Sequence, residues 1–210
     1  MPPAALSAEG FAQLFPVSRE TLQRLEQVVA LLRRWQPRIN LVSAGSLADV
    51  WRRHVLDSAQ LLPLADAAPG LWLDLGSGAG FPGLIVAALG RKPVHLVERD
   101  ARKAAFLREA ARGCGLAVTI HVRSIEDLPP LGAAVISARA LAPLPNLLAL
   151  AAAQLGPDTL LLFPKGQDVE AELTNASRCW MMQAERLPSM TDPTGVVLRL
   201  RGLKRGGTGG

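Results

Sequence analysis

The first part of the chain repeats apolar residues at helical spacing. Between Ser18 and Gln36 they form one stripe, made of Leu22, Leu25, Val28, Val29, Leu32 and Trp35. This spacing predicts an amphipathic helix, which Pro37 ends. A second helix is predicted from Ser46 to about Leu62, with Ser46 and Asp49 as its capping pair and Pro63 closing it. Residues 1–65 are therefore expected to form an N-terminal helical extension.

From Leu71 onward, short runs of leucine and β-branched residues alternate with helical stretches. This alternation is typical of an α/β sheet with crossover helices. Strands are predicted at 71–75, 94–98, 117–121, 133–137, 159–163 and 196–201, and helices at 82–89, 101–113, 143–154 and 167–178. Residues 179–187 are compatible with one further strand, although Met181, Met182 and Gln183 leave that assignment open. The pattern predicts one α/β domain over residues 66–203, with a mostly parallel, twisted sheet and helices on both faces. A flexible basic tail is expected over residues 204–210.

The first predicted strand ends on an acidic residue and opens directly into a glycine-rich turn. The segment reads Leu71-Trp-Leu-Asp74-Leu-Gly76-Ser-Gly78-Ala-Gly80-Phe81-Pro82-Gly83. Glycine accepts positive φ and lets another molecule approach the main chain, which explains the glycines at 76, 78 and 80. A helix starting near Pro82 would place residues 76–83, the glycine loop, at the carboxyl end of a strand. Ligands bind at this position in open α/β sheets.

Two acidic residues help to decide which ligand the glycine loop would take. Gly78-x-Gly80-x-x-Gly83 satisfies the dinucleotide fingerprint, but a lone match is weak. The Asp74 carboxylate would repel a pyrophosphate and attract an ammonium and a sulfonium, which S-adenosylmethionine carries. The second predicted strand ends at Glu98, where a carboxylate can accept hydrogen bonds from both ribose hydroxyls. Asp74 and Glu98 therefore favour S-adenosylmethionine over a dinucleotide.

Composition and charge narrow the class of protein. A chain of 210 residues with 49% hydrophobic residues can bury one substantial core. A net charge of +5 and a pI near 10.0 favour an anionic partner, nucleic acid before membrane. The first residues lack the pattern of a secretory signal, so we expect a cytoplasmic location. Cys114 and Cys179 stand far apart, and an intracellular chain would keep both thiols reduced. The cysteines and the three histidines stand at no ligand-like spacing, which predicts no metal site.

The catalytic motifs that the sequence lacks restrict which kind of atom could receive a methyl group. Methylation at C5 of a pyrimidine requires a cysteine thiolate, but neither Cys114 nor Cys179 lies in the expected motif. Methylation of an exocyclic amine commonly uses an Asn/Asp-Pro-Pro-Tyr/Phe turn after the fourth strand, where this chain has Ser137-Ala-Arg139-Ala140. A ring nitrogen such as guanine N7 has no proton to lose, so its methylation needs orientation more than a base. The sequence is compatible with N7 methylation and equally with a protein that has no catalytic activity.

Several separated segments resemble the bacterial small-subunit rRNA methyltransferase G family, also called glucose-inhibited division protein B. The similarity runs from about Leu25 to Gln167. It is carried by Trp35, Ile39-Asn40-Leu41-Val42-Ser43, Arg53-His54-Val-Leu-Asp57-Ser58, the glycine loop, Lys103-Ala-Ala-Phe106-Leu107, Ser137-Ala-Arg139-Ala140 and Lys165-Gly166-Gln167. The resemblance implies a class I, Rossmann-like methyltransferase that uses S-adenosylmethionine. It further implies transfer to N7 of guanine 527 in 16S rRNA, either as free RNA or in the small ribosomal subunit.

The resemblance also assigns expected roles to individual residues. Expected cofactor contacts, with Asp74 added from its charge, are Asp74, Gly76, Gly78, Phe81, Glu98, Ile125, Glu126 and Arg139. Arg139 and Lys165 are expected to orient the substrate, and Arg53, His54 and Lys165 to contact the RNA. One position departs from the family, because Ser124 stands where an arginine is common, and Arg123 is the candidate to compensate.

Two other functions remain open from the sequence alone. One is a class I methyltransferase acting on another RNA or on a small molecule. The other is a non-enzymatic regulator that binds RNA or senses a nicotinamide nucleotide. The working expectation is a monomer without a metal ion.

Overall fold

A seven-stranded sheet forms the centre of the computed structural model, which describes residues 4–65 and 68–206. Its strands are β1 (Trp72–Leu75), β2 (Val94–Val97), β3 (Val118–His121), β4 (Ala133–Ser137), β5 (Leu155–Lys165), β6 (Trp180–Pro188) and β7 (Val196–Arg205). They are ordered β3-β2-β1-β4-β5-β7-β6. Strands β1 to β5 pair in parallel, whereas β7 runs antiparallel to both of its neighbours. The predicted mostly parallel sheet is confirmed, and β6 settles the ambiguous segment 179–187 as a strand.

Two strands are longer than the sequence predicts. Strand β5 begins at Leu155 instead of 159, and its pairing with β4 shifts register between Ala133 and Val135. Strand β7 continues to Arg205, which pairs with Trp180. The prediction that a flexible tail starts at 204 is therefore wrong for Lys204 and Arg205, because an antiparallel neighbour supplies their hydrogen bonds. Gly206 N also donates to Cys179 O, at 2.8 Å. The remaining residues of that predicted tail, 207 to 210, lie outside the described residues.

Four helices accompany the sheet, and apolar side chains fill the space on both of its faces. The helices are α5 (Gly83–Ala88), α6 (Ala101–Gly113), α7 (Leu144–Ala152) and α8 (Val169–Ser177). Successive strand residues point to opposite faces. Trp72 therefore joins the core under α5 and α6, while Leu73 joins the core under α7 and α8. The prediction of helices on both faces is confirmed.

The N-terminal extension packs on the α5–α6 face and shares its core. Its elements are α1 (Ala8–Leu14), α2 (Arg19–Trp35), α3 (Ala44–Ala48), a π-helical turn (Trp51–Leu56), α4 (Asp57–Ala59) and a 3-10 turn (Pro63–Ala65). Helix α1 was not predicted, because seven residues are too few to show a periodic stripe. Its Phe11 is fully buried, with its ring 5.6 Å from that of Trp51.

The predicted second helix is wrong in its start and in its continuity. The capping residue is Ser43, whose side chain accepts a hydrogen bond from Ser46 N, so α3 begins before Ser46. Asp49 does not cap the helix, since its carboxylate binds Leu6 N and the side chain of Arg52. The chain leaves helical geometry at Asp49 and resumes as the π-helical turn. Pro63 opens the 3-10 turn, four residues after the last helical position of α4.

The strand order fixes where a ligand would bind. The connection from β1 leads to β2 on one side, whereas β4 lies on the other side of β1. Such a reversal of direction opens a crevice at the carboxyl ends of the strands. The glycine loop follows β1 at this position, and the segment containing Arg139 follows β4. Among the residues described, no helix has the length and apolar character needed to cross a membrane.

Candidate functional site

A cavity of about 1010 Å³ opens at the carboxyl ends of β1, β4 and β5. The glycine loop forms one wall with Gly76, Ser77, Gly78, Ala79 and Phe81. The helical extension contributes a second wall, which includes Ser46, Arg53, His54 and Asp57. The segments after β4 and β5, together with α8, complete the cavity with Arg139, Leu141, Lys165 and Glu172.

The glycine loop is held by a hydrogen bond to the Asp74 carboxylate on β1. Asp74 Oδ2 accepts from Gly83 N at 3.2 Å, and Oδ1 accepts from Ser137 Oγ at 2.8 Å. Ser137 in turn accepts from the indole of Trp72. Burial raises the pKa of Asp74 to about 6, although hydrogen bonds such as that from Ser137 oppose this rise. Asp74 is fully buried and outside the cavity lining, so a direct contact between its carboxylate and a ligand stays a prediction.

Glu98 also lies against the loop and does not line the cavity. Its Oε2 accepts from Gly78 N at 2.8 Å, and its Oε1 accepts from Asp100 N at 2.8 Å. Both oxygens are thus engaged by main-chain N–H groups. The predicted hydrogen bonds that ribose hydroxyls would donate to Glu98 would have to replace or share these contacts.

Two further predicted cofactor contacts, Ile125 and Glu126, are likewise outside the cavity lining. Ile125 is buried and Glu126 is exposed. At the neighbouring position where the sequence departs from the family, Ser124 Oγ donates to Asp127 Oδ2 at 2.5 Å. Ser124 therefore stabilises the local turn. Arg123 extends along the same turn, with its guanidinium 3.5 Å from Asp127 O.

Arg139 is the centre of a polar cluster that also contains the buried His54 and the half-buried Asp57. One guanidinium nitrogen of Arg139 donates to His54 Nδ1 at 2.6 Å. The other donates to Asp57 Oδ2 at 3.3 Å and to Arg53 O at 2.8 Å. The next residue, Ala140, has φ +50, a left-handed conformation that non-glycine residues rarely adopt. We refer to His54, Asp57 and Arg139 as the arginine cluster.

The glycine loop and the arginine cluster meet at Phe81. The His54 ring stacks on the Phe81 ring with centroids 4.8 Å apart and planes 23° apart. The guanidinium carbon of Arg139 lies 5.2 Å from the centre of the same ring. The Phe81 ring therefore presents its face to the Arg139 cation in a largely desolvated setting, where cation–π contacts are strongest.

The surroundings of His54 fix its protonation state. Burial, followed by the positive charges of Arg139 and Arg53, lowers the pKa of His54 to about 3. The neutral ring accepts from Arg139 at Nδ1, so its proton is on Nε2 and is donated to Ser46 Oγ at 2.9 Å. Burial also lowers the pKa of Arg139, and the neighbouring Asp57 raises it. The guanidinium is an obligate cation in proteins, so Arg139 carries a fixed positive charge beside a neutral imidazole and the Asp57 carboxylate.

A loop between β6 and β7 supports the arginine cluster from outside. Thr191 Oγ1 donates to Asp57 Oδ1 at 2.8 Å, and Met190 N donates to Gln60 Oε1 at 2.8 Å. Asp192 lies 3.9 Å from the guanidinium of Arg53. The sequence indicated no role for this loop, because its contacts with the extension join residues about 130 positions apart.

Lys165 and Glu172 form a second charged pair in the cavity. Lys165 ends β5, and its Nζ donates to Glu172 Oε2 at 2.6 Å. The same carboxylate oxygen accepts from Leu144 N at 2.6 Å, at the start of α7. Lys165 is therefore in the cavity, as its assignment to substrate requires, but it is paired with a carboxylate that the sequence did not single out.

Seven of the predicted site residues share this cavity: Gly76, Gly78, Phe81, Arg53, His54, Arg139 and Lys165. Asp74, Glu98, Ile125 and Glu126 are not part of its lining. Asp57 and Glu172 were missed as site residues. The sequence could have indicated Asp57, because it lies four residues after Arg53 in a helical segment and residues at this spacing share a face of the helix. No local sequence pattern indicates Glu172, because its contacts arise from the packing of α8 against β5 and α7.

Comparison with known proteins identifies the family. The family model for rRNA small subunit methyltransferase G matches residues 21–196. The chain belongs to this family. A ribosomal RNA small subunit methyltransferase G from Parvibaculum lavamentivorans is 51% identical over 207 residues, covering 96% of this chain and 92% of that protein. Another, from Rhodospirillum centenum, is 52% identical over 200 residues, with 95% and 93% coverage.

Solved structures confirm the class I methyltransferase fold that the resemblance implied. A methyltransferase from Geobacter sulfurreducens superposes with a TM-score of 0.60, covering 96% of this chain and 98% of that one at 16% identity. A SAM-dependent methyltransferase from Aquifex aeolicus gives a TM-score of 0.56, with 76% and 95% coverage and 16% identity. At these identities the likeness concerns the fold.

Proposed function

We propose that this protein transfers a methyl group from S-adenosylmethionine to N7 of guanine 527 in 16S rRNA. It would act in the cytoplasm, as a monomer, on the small ribosomal subunit or its RNA. The observation that carries the proposal is membership of the rRNA small subunit methyltransferase G family over residues 21–196, together with a cavity that joins the glycine loop to Arg139. Family membership favours this enzyme over a regulator that senses a nicotinamide nucleotide.

The residues of the glycine loop fit S-adenosylmethionine. Gly78 has φ +54, and a Cβ built on it would meet only Gly76 O, at 3.8 Å. The cavity side of this main chain is therefore open to a ligand. Gly76, Gly78 and Phe81 would contact the cofactor directly, while Glu98, Ile125 and Glu126 would hold its adenosine. When bound, the cofactor supplies a methyl group activated by a sulfonium.

The arginine cluster fits a reaction that needs orientation and no general base. His54 Nδ1 accepts from Arg139, its Nε2 donates to Ser46, and both oxygens of Asp57 accept hydrogen bonds. Guanine N7 has a free lone pair and no proton to lose, so these groups need not remove one. Their role in the proposal is to fix Arg139, which would position the cofactor and the base. Correct positioning alone can supply several kcal/mol of rate enhancement.

The decisive experiment measures labelled methyl transfer to small ribosomal subunits that lack this modification, followed by chemical mapping of the labelled base. We expect labelling at N7 of guanine 527. Arg139→Ala should reduce kcat/KM about a hundredfold, in line with the loss of a positioning contact. Arg178→Ala, which changes an exposed arginine at the end of α8, should retain wild-type activity. Label at another base, or equal transfer by wild type and Arg139→Ala, would contradict the proposal.

A further inference from the structure

Lys165 and Glu172 present unused hydrogen-bonding capacity in the cavity. An ammonium has three donors. Lys165 directs one at Glu172 Oε2 and one at Ala142 O, the latter at 3.4 Å. Glu172 Oε2 accepts two hydrogen bonds, whereas its Oε1 accepts none within residues 4–65 and 68–206. A spare donor therefore stands beside a spare acceptor.

The pair is built into the fold and is not a loose surface contact. The Lys165 side chain is only 10% exposed. Glu172 is held at one oxygen by the main chain of α7 and by Lys165 together. Placing a lysine at such a site costs solvation energy, which a carboxylate and further hydrogen bonds must offset. A ligand group that uses the spare positions would complete the hydrogen bonding of both side chains.

The sheet places this pair on the substrate side of the cavity. Strand β5 is separated from β1 by β4 alone, and neighbouring strands lie about 4.8 Å apart. Strand β5, which Lys165 ends, is consequently about 10 Å across the sheet from β1, the strand that leads into the glycine loop. That separation leaves room for a planar base between the pair and a cofactor seated on the loop.

We propose that Lys165 and Glu172 read the O6 and N1–H groups of the target guanine. This inference rests on the function proposed above. The Lys165 ammonium donates to O6, and Glu172 Oε1 accepts from N1–H. Adenine carries an amino donor and a ring-nitrogen acceptor at the same positions, so both contacts would be mismatched. The two positions leave N7 free, on the edge of the purine next to O6.

The charge of Glu172 also suits the transfer. The N7 lone pair forms a bond to the methyl carbon while the carbon–sulfur bond breaks and its electron pair stays on sulfur. No proton is lost, so the positive charge of the sulfonium ends on the purine. A carboxylate at N1–H stabilises that charge as it develops. Glu172 should therefore affect kcat as well as base choice.

Base analogues in the target RNA test the inference with the wild-type protein. Inosine keeps O6, N1–H and N7, whereas 2-aminopurine keeps N7 but lacks O6 and presents an acceptor at N1. We expect kcat/KM on inosine within about threefold of guanine, and on 2-aminopurine about tenfold to a hundredfold lower, as for a bidentate base contact. If inosine is rejected as strongly as 2-aminopurine, the enzyme reads the 2-amino group and the inference is wrong.

Glu172→Gln separates base recognition from a merely structural role. The single glutamine oxygen is claimed by Leu144 N and Lys165, so the amide NH₂ faces the base as a donor. We expect the guanine-to-2-aminopurine ratio of kcat/KM to fall at least tenfold. Binding of the same RNAs with S-adenosylhomocysteine, which has no methyl group to transfer, should show the same loss of preference. Thermal unfolding reports whether the variant is folded.

Glu170→Gln is the matched control. Glu170 lies on the same helix, but its carboxylate binds Arg186 and its side chain is 66% exposed. This variant should keep the wild-type ratio. If folded Glu172→Gln keeps it too, while the wild-type enzyme methylates the guanine RNA, the inference is overturned and the proposed function stands. Absence of transfer to the guanine RNA by the wild-type protein would instead count against the proposed function.

Discussion

The glycine loop and the arginine cluster line one cavity and meet at Phe81, but different forces hold them. The loop is a main-chain structure with positive φ at Gly76, Gly78 and Gly80, supported from below by carboxylates that bind its N–H groups. The arginine cluster is made of side chains, with the half-buried Arg139 cation facing a neutral histidine and an aspartate. A substitution in the loop should act through geometry, whereas one in the cluster should act through charge and protonation.

Within the glycine loop, the largest effect is expected from Gly76→Ala, which is compared with Gly115→Ala. The two glycines have nearly the same φ, +64 and +62, so alanine costs each about 1 kcal/mol of stability. A Cβ at Gly76 would lie 2.5 Å from Leu141 Cδ1, whereas nothing lies within 4 Å at Gly115. Moving Leu141, which also lines the cavity, should weaken S-adenosylmethionine binding at least tenfold.

Equilibrium dialysis with S-adenosylmethionine measures the affinity, and denaturant unfolding measures the stability. Gly115→Ala should bind the cofactor like the wild type despite its loss of stability. Equal affinities for all three proteins would show that the shape of the glycine loop at Gly76 does not govern cofactor binding.

The pH dependence of the unfolding free energy tests whether charge and protonation control the arginine cluster. The pKa of His54 is about 3 in the folded protein and near 6.5 when unfolded, so on acidification the unfolded state takes up this proton first. The contribution of His54 is present above about pH 6.5 and is lost as the pH falls toward 3. At pH 5 the loss is roughly 2 kcal/mol. Asp74 acts in the opposite sense, because its folded pKa of about 6 lies above its unfolded value.

His54→Gln should therefore change the shape of the stability curve. When the pH falls from 7.5 to 5, the unfolding free energy of the variant should change by about 2 kcal/mol more in the stabilising direction than that of the wild type. The reason is that the variant lacks the destabilising protonation of His54 and keeps the stabilising protonation of Asp74. Urea unfolding at the two pH values measures this difference. An NMR titration in which wild-type His54 ionises near pH 6.5 would refute the explanation.

Elements built from adjacent residues could be predicted from the sequence, whereas contacts between distant residues could not. Helix α6 was predicted with its observed bounds, because Asp100 caps it locally and the helical pattern runs unbroken to Gly113. The glycine loop was also readable, since its conformation depends on adjacent residues. In the arginine cluster, Arg139 contacts residues 82 and 85 positions away, so the sequence supplied the residues of the cluster but not their contacts. The break at Asp49 also involves a distant residue, because Leu6 N donates a hydrogen bond to the Asp49 carboxylate.

The smallest effect is expected from Arg53→Ala at the rim of the arginine cluster. The Arg53 side chain is 51% exposed and lies 3.9 Å from Asp192, whereas the contact with Arg139 is made by its carbonyl oxygen. Removing the side chain should change stability by less than about 0.5 kcal/mol. If Arg53 contacts a phosphate of the RNA, affinity should fall a few-fold and the slope of log affinity against log salt should decrease by about 1.

Asp192→Asn is the opposing control, since it removes the negative charge beside Arg53 and should leave RNA affinity equal or higher. Binding to small ribosomal subunits at several salt concentrations measures both variants. A salt slope unchanged by Arg53→Ala would show that this guanidinium releases no counterion on binding. The contact surface would then have to be sought among the other cations of the rim, such as Lys103, which lines the cavity beside the glycine loop.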